Sequence, residues 1–185
     1  MLDFYLLQNS LLILSCIILG HVYIDPKPTL IKGNEVGHFE NFGEEFTVDF
    51  KFKLTKDFPM KKMSVLRLGK SQNEVMPSIR MTKNQHLSIC ASINGDKNWK
   101  HCYQHPIDNI NQEYHVVVTQ GFFVREKLMF MVLIDNEMVY ARDNPKPLIF
   151  NGTLHLTSPW IHSLGTFGAM TDLKVYMRPY PTDST

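Results

Sequence analysis

The sequence contains eight histidines and three cysteines, the side chains that most often bind metals or act as nucleophiles. His101 and His105 are four residues apart, a spacing that would place both on one face of a helix. In an extended strand the same spacing separates two residues by about 13 Å, which is too far to share one metal ion. The sequence also lacks a Gly-x-Ser-x-Gly nucleophile motif and a phosphate-binding loop. We therefore expect the histidines to be ordinary surface residues and the protein not to be an enzyme.

Two of the cysteines, Cys90 and Cys102, flank a turn whose geometry follows from the sequence. Asn94-Gly95 is a strong turn signal between two runs that read as strands. If the loop is 94–98, its centre is residue 96, which is also the midpoint between the two cysteines. Directly opposed residues on antiparallel strands have Cα atoms about 4.5–5.5 Å apart, which is within disulfide range. We expect a disulfide between Cys90 and Cys102 that pins this hairpin.

The apolar residues have a period of two from about residue 45 onward. In the segment 45–55, every even position is apolar and every odd position is polar, which indicates a strand with one buried face. Strand-like runs also occupy 87–93, 114–119, 127–135, 153–157 and 172–177, with Asp135-Asn136 as a two-residue hairpin turn. No segment shows a helical stripe. We expect an all-β fold, an antiparallel β-sandwich of the jelly-roll type.

Length and charge restrict the class of protein. A chain of 185 residues is long enough for one full-sized domain with a core. Its 19 Lys and Arg residues nearly balance 18 Asp and Glu residues, and no basic run is interleaved with aromatic residues. The electrostatic footprint of a nucleic-acid-binding protein is therefore missing.

The first 20 residues differ from the rest of the chain. Residues 11–19 read LLILSCIIL, an apolar core much shorter than the roughly 20 residues of a membrane-spanning helix. We expect residues 1–20 to be a signal peptide and the mature protein to be secreted, without a membrane span. A buried strand or helix of the domain and an uncleaved signal anchor are the alternatives, because no Lys or Arg precedes the apolar core. The glycosylation sequon at Asn151 agrees with export.

The remaining chain divides into three parts. Residues 21–40 contain two prolines and two glycines and form a lead-in segment that can contribute an edge strand. Residues 41–178 form the β-sandwich domain. Residues 179–185 are expected to be a flexible tail.

Three segments, in order along the chain, resemble the laminin-G-like, concanavalin-A-like jelly-roll domains of small secreted or cell-surface invertebrate proteins. They are HLSICASINGDKNWKHCYQ at 86–104, a hairpin at 113–140 and a closing stretch at 153–175. The sequence departs from the family pattern at Tyr114, where tryptophan is usual, and at Asn136-Glu137, where the turn is usually Asp-Gly. The resemblance implies a jelly roll over residues 45–177 and does not identify a ligand.

The resemblance also implies where a ligand would bind. Laminin-G-like domains often hold calcium at one rim, where Asp108, Asp143 and Asn144 are the loop donors of this chain, and no other cofactor is expected. Trp160 follows a Ser-Pro pair as in the family's turn, and Trp99 is also next to a turn. Each tryptophan is either an exposed contact for a sugar or protein, or a rim residue packed under its own loop.

Some concanavalin-A-like proteins are glycosidases, with carboxylates on one inward strand face in a Glu-x-Asp-x-x-Glu pattern. The nearest approach here is Glu44-Glu45 with Asp49, and the alternation places Asp49 on the polar face. We therefore expect a non-catalytic recognition module for an extracellular glycan or protein. The alternatives are a structural extracellular component that self-associates through a strand edge, and a divergent glycan-active enzyme.

The signal peptide can be tested directly. Because the apolar core ends at Gly20, protein recovered from culture medium should begin near residue 21. N-terminal sequencing of the purified material measures this. An intact Met1 in soluble secreted protein would contradict it.

Overall fold

Thirteen β-strands form the regular structure of the chain in the computed structural model. It describes residues 22–23, 29–30, 34–54, 63–71, 74–96, 101–124, 126–156 and 168–180. Within these ranges no helix has the length and apolar character needed to cross a membrane. The strands are β1 (Val22–Tyr23), β2 (Thr29–Leu30), β3 (Asn34–Phe42), β4 (Phe46–Leu54), β5 (Met63–Gly69), β6 (Val75–Met81), β7 (His86–Ala91), β8 (His101–Pro106), β9 (Tyr114–Val124), β10 (Lys127–Ile134), β11 (Glu137–Asp143), β12 (Phe150–Leu156) and β13 (Gly168–Tyr176).

The strands form two antiparallel sheets that pack face to face. The seven-stranded sheet has the order β1-β13-β4-β9-β10-β11, with β2 also paired to β13. The six-stranded sheet has the order β3-β12-β5-β6-β7-β8. Many neighbouring strands are far apart in sequence, as in jelly rolls. The predicted all-β sandwich is confirmed.

The core lies between the inner faces of the two sheets. In strand β4 the even-numbered residues face the core and are all buried: Phe46, Val48, Phe50, Phe52 and Leu54. The neighbouring strands align their core-facing residues with these, because Val48 pairs with Val118 and Val118 pairs with Val132. Alternation along each strand therefore adds up to one continuous apolar layer.

Phenylalanine rings fill one end of this layer. The ring centroids of Phe42 and Phe46 are 4.8 Å apart, and those of Phe46 and Phe130 are 6.5 Å apart. Phe42 also contacts Phe150 of β12. These rings join strands of both sheets.

The β10–β11 hairpin has the predicted two-residue turn. Asp135 and Asn136 both have positive φ, 51° and 68°, and Ile134 pairs with Glu137 across them. Positive φ at both central residues matches the twist of the flanking strands, and Asp and Asn tolerate it better than most residues.

Strands β3, β5 and β6 were not predicted from alternation. The β5–β6 pairing shifts register between Ser64 and Leu66 and again between Arg67 and Gly69. A bulge inserts a residue and changes which parity faces the core, so the period of two is lost in the sequence. Strand β3 begins at Asn34, so the end of the lead-in segment 21–40 is part of the six-stranded sheet.

The C-terminal segment differs from the predicted tail 179–185 at its first two residues. The Thr47 hydroxyl donates to the Arg178 carbonyl at 2.9 Å, and the Tyr180 amide donates to the Thr119 hydroxyl at 2.9 Å. A Cβ on Gly121 would lie 2.4 Å from the Pro179 Cβ, so glycine allows this close approach. The segment 178–180 therefore crosses the outer face of the seven-stranded sheet. Residues 181–185 lie outside the described residues.

Candidate functional site

A cleft of about 630 Å³ opens at the rim of the sandwich, where the turn after β7 meets the end of β11. Its polar lining residues carry hydrogen-bond donors, acceptors and both signs of charge; they are Asn94, Asp96, His101, Arg142 and Asp143. Apolar surface lies beside them, from Ile93, Met129, Ala141 and Pro145. Small-molecule sites combine apolar surface with a few polar groups in this way.

The turn after β7 brings Asn94 and Asp96 to the cleft. Asn94 and Gly95 have positive φ, 55° and 78°, and the Asp96 amide donates to the Ile93 carbonyl at 3.0 Å. Asn and Gly are the residues that accept this conformation with least strain, so the Asn-Gly signal fixes the turn.

The disulfide fixes the other side of the same hairpin. Cys90 and Cys102 are bonded and directly opposite in register, with their Cα atoms 4.1 Å apart. This is the pair that the turn spacing predicts. The next pair toward the cleft is Ala91 with His101, so the bridge holds the backbone next to His101.

Arg142 and Asp143 lie at the end of β11, the edge strand of the seven-stranded sheet. Successive residues of a strand project to opposite faces, so the two side chains flank this edge. Asp143 Oδ2 lies 3.5 Å from Lys127 Nζ, but both side chains are more than half exposed, so the ion pair is weak. Arg142 takes part in no ion pair found among the described residues.

Asn144, directly after β11, connects the two sides of the cleft. Its Oδ1 accepts a hydrogen bond from the Asn94 amide at 2.7 Å. Its Nδ2 donates to the Ser92 carbonyl at 3.2 Å and to Gln120 Oε1 at 2.7 Å. The Asn144 side chain is fully buried, where every lost hydrogen bond leaves a desolvated group behind.

Gln120 extends this network to the β3–β4 turn. Its Nε2 donates to the Gly43 carbonyl and to the Glu44 carbonyl, the latter at 3.0 Å. Gln120 is also fully buried. Two side-chain amides thus join the segments around residues 43, 93 and 144 into one rim.

The structure does not bring together the three predicted calcium donors. Asp143 is the last residue of β11 and Asn144 follows it, whereas Asp108 is close enough to His105 to interact with it electrostatically, as is Asp135 at the opposite end of that strand. Seven strand residues separate the two ends by about 20 Å. The Asn144 carboxamide is occupied by its hydrogen bonds. Among the described residues, no three His, Cys, Asp or Glu side chains are close enough to hold a metal ion.

Other predicted site residues have these positions. Trp99, Trp160 and the signal peptide 1–20 lie outside the described residues, so their roles stay predictions. Asn151 is exposed and its Oδ1 accepts from the Asn41 amide at 2.9 Å, and its glycosylation stays a prediction. Asp49 lies on the outer face and contacts His115 Nε2 at 2.8 Å.

Arg142, Asp96 and Gln120 were missed as parts of a site, and Asn144 was expected only as a calcium donor. Gln120 could have been identified from the sequence. The even-numbered residues Tyr114, Val116 and Val118 of β9 face the core, so Gln120 places an amide where the alternation predicts an apolar residue. A polar residue at such a position needs buried partners.

Comparison with known proteins adds evidence on the fold. No protein-family model matches the sequence, and no curated protein is significantly similar to it. A solved structure of the botulinum neurotoxin serotype D ligand-binding domain, in complex with N-acetylneuraminic acid, is similar with a TM-score of 0.58 and 9% identity, over 80% of this chain and 36% of that one. The botulinum neurotoxin type G receptor-binding domain gives a TM-score of 0.56 and 10% identity, over 87% of this chain and 42% of that one.

A sialidase of Trypanosoma rangeli, in complex with a difluorinated nononic acid sugar, gives a TM-score of 0.52 and 14% identity. The match covers 74% of this chain and 21% of the sialidase. The chain thus spans less than half the length of each neighbour. At these identities the likeness shows the β-sandwich that the laminin-G-like resemblance implies, whereas membership of the laminin-G-like family stays a prediction.

The Asn144 network makes a stability prediction. Asn144→Ala removes three hydrogen bonds and leaves the buried Gln120 Oε1 and the buried Ser92 carbonyl without this donor, so we expect the free energy of unfolding to fall by about 3 kcal/mol. Chemical denaturation measures this. Asn109→Ala is the control: its amide bonds only an exposed Gln112, and a change within about 0.5 kcal/mol is expected. Equal, small effects of both substitutions would contradict the role of the network.

Proposed function

We propose that the protein is a non-catalytic module that binds a glycan in the rim cleft. The observation that carries this proposal is the cleft itself, whose turn at 94–96 is held in place by the buried Asn144 side chain before any ligand arrives. A preorganised site loses little conformational entropy on binding. Its secretion is part of the proposal, and the disulfide supports it, because disulfides persist in oxidising compartments.

The lining suits a sugar. A sugar ring presents hydroxyl groups that need both donors and acceptors, which Asn94, Asp96 and His101 supply. The carbon–hydrogen faces of the ring need apolar surface, which Met129 and Pro145 supply.

The charge of Arg142 suggests that the sugar is acidic. Its guanidinium has no carboxylate partner among the described ion pairs and is suited to a bidentate contact with a ligand carboxylate. The structural neighbours solved with N-acetylneuraminic acid and with a related sugar make sialic acids the first class to test. Because this chain matches only part of each neighbour, their ligands serve as probes here.

Hydrolysis is the less favoured function. Asp96 and Asp143 both line the cleft, and a glycosidase needs two carboxyl groups, one of them kept protonated by a dry environment. The Asp143 side chain is 58% exposed and lies beside a lysine, so it is not in a dry environment. We therefore expect bound sugars to be released unchanged.

A structural role is the second candidate. Strands β8 and β11 are both sheet edges, and Tyr103 and Tyr140 of these strands lie with ring centroids 6.0 Å apart. Two open edges therefore lie on one side of the sandwich. Met138 on β11 is 59% exposed, so self-association there would bury apolar surface. Light scattering over a range of concentrations separates this role from glycan binding by a monomer.

The cleft can be tested with a glycan array followed by titration calorimetry. We expect reproducible binding to acidic glycans, and Arg142→Ala should weaken it at least about tenfold, since charge-assisted hydrogen bonds contribute more than neutral ones. Arg178→Ala is the matched control. Arg178 lies in the C-terminal segment 178–180, on the outer face of the seven-stranded sheet, and does not line the cleft.

Two results would contradict the proposal. The first is Arg142→Ala binding as tightly as the wild type. The second is cleavage of the bound glycan, measured by the release of free sugar, which would assign the cleft to an enzyme.

A further inference from the structure

Four adjacent strands of the six-stranded sheet contain no carboxylate. Strands β5, β6, β7 and β8 carry two arginines, Arg67 and Arg80, and three histidines, but no Asp or Glu. In the seven-stranded sheet, by comparison, Lys51 on β4 pairs with Asp172 on β13 at 3.0 Å. The formal charges on strands β5–β8 themselves are all positive.

Arg80 lies at the centre of the outer face of strands β5–β8. Its neighbours along β6, Ile79 and Met81, are buried in the core, so alternation places Arg80 on the other side. It pairs in register with Ser64 of β5 and Ser88 of β7. Arg80 is surrounded by small hydroxyl side chains rather than by acids.

Among the residues that the structure describes, the guanidinium of Arg80 has no strong hydrogen-bond acceptor. Its Nη2 has a contact at 3.9 Å with Cys90 Sγ, and a sulfur atom is a weak acceptor. Its Nε is buried without a hydrogen-bond partner among the described residues, and no described ion pair includes it. Buried donors of native proteins are nearly always satisfied, and a partly buried cation normally has an anion beside it.

A second unsatisfied nitrogen lies on the same face. His86 is two residues before Ser88 on β7, diagonal to Arg80, and diagonal neighbours across antiparallel strands are about 7–8 Å apart. Its Nδ1 is likewise buried without a partner among the described residues. Ser88 is 1% exposed and its hydroxyl already contacts Cys90 Sγ at 3.5 Å, so the groups left to bind a ligand here are those of Arg80 and His86.

Arg67 adds charge from the neighbouring strand. It is 1% exposed, and its Nη2 donates to the Ser71 carbonyl at 3.2 Å. Burial lowers the pKa of Arg67 to about 10, so the side chain stays cationic at neutral pH.

We propose that Arg80, with His86, forms a binding site for an oxyanion: a sulfate or phosphate group, or a carboxylate. The anion would accept hydrogen bonds from Arg80 Nε and from His86, and supply the negative charge that strands β5–β8 lack. The site is separate from the rim cleft, because Ser88 and Asn94 are six residues apart, about 20 Å along an extended chain. The proposal does not depend on the proposed function.

The test is a titration of the ¹⁵N-labelled protein with sodium sulfate at constant ionic strength. We expect the Arg80 Nε–H resonance to shift with saturation in the millimolar range, while other arginine Nε–H resonances move little. Inorganic phosphate, a sulfated disaccharide and a disaccharide carrying only carboxylates then show which carrier binds most tightly. Arg80→Gln should abolish sulfate-dependent thermal stabilisation, whereas Lys53→Gln, with the same loss of charge on the other sheet, should retain it.

The thermal comparison matters because sulfate stabilises many proteins without binding. Equal stabilisation of the wild type and Arg80→Gln would overturn the proposal. If the variant fails to fold, the wild-type titration decides alone, and an Arg80 resonance that does not respond to sulfate or to any other probe overturns the proposal. Loss of glycan binding in Arg142→Ala with an intact sulfate response would affect only the rim cleft.

Discussion

The carboxamide of Asn144 is the interaction on which the rim of this sandwich depends. It is bonded on one side to the turn after β7 and on the other to Gln120, which in turn holds the β3–β4 turn. These segments come from both sheets and are far apart in the sequence. Without a buried polar connection they would be separate loops, and the cleft between them would have no fixed shape. A satisfied buried network gives the rim one geometry.

The disulfide complements this network from the other side of the cleft. It closes a short loop, so its effect on the unfolded chain is limited and its main role is local. Together, Asn144 and the Cys90–Cys102 bridge hold both ends of the turn that carries Asn94 and Asp96. Functional side chains on a rigid frame are the usual arrangement for recognition sites on loops.

The two sheets differ in their electrostatics. On the outer face of the seven-stranded sheet, Lys51 pairs with Asp172 and Asp49 contacts His115, and the C-terminal segment 178–180 covers part of the surface. Strands β5–β8 of the other sheet contain no Asp or Glu, and Arg80 is in no ion pair found among the described residues. A difference of this kind within one domain indicates that the two faces meet different surroundings.

Local features of the fold were predictable, and features that depend on distant strands were not. The Asp135-Asn136 turn and the opposition of Cys90 and Cys102 need only short-range geometry. Strands β5 and β6 escaped prediction because their bulges break the period of two. Asn144 was expected only as a calcium donor, because its hydrogen-bond partners come from segments that are distant in the sequence. The unsatisfied Arg80 depends on which strands become neighbours, which the sequence does not specify.

Recognition of a glycan by the rim cleft can be observed in a crystal structure of the protein with its tightest acidic glycan. We predict density for the sugar in the cleft, with its acidic group at Arg142 and its hydroxyl groups at Asn94 and His101. A sugar bound anywhere else on the domain, or an empty cleft at saturating glycan, would contradict the claim.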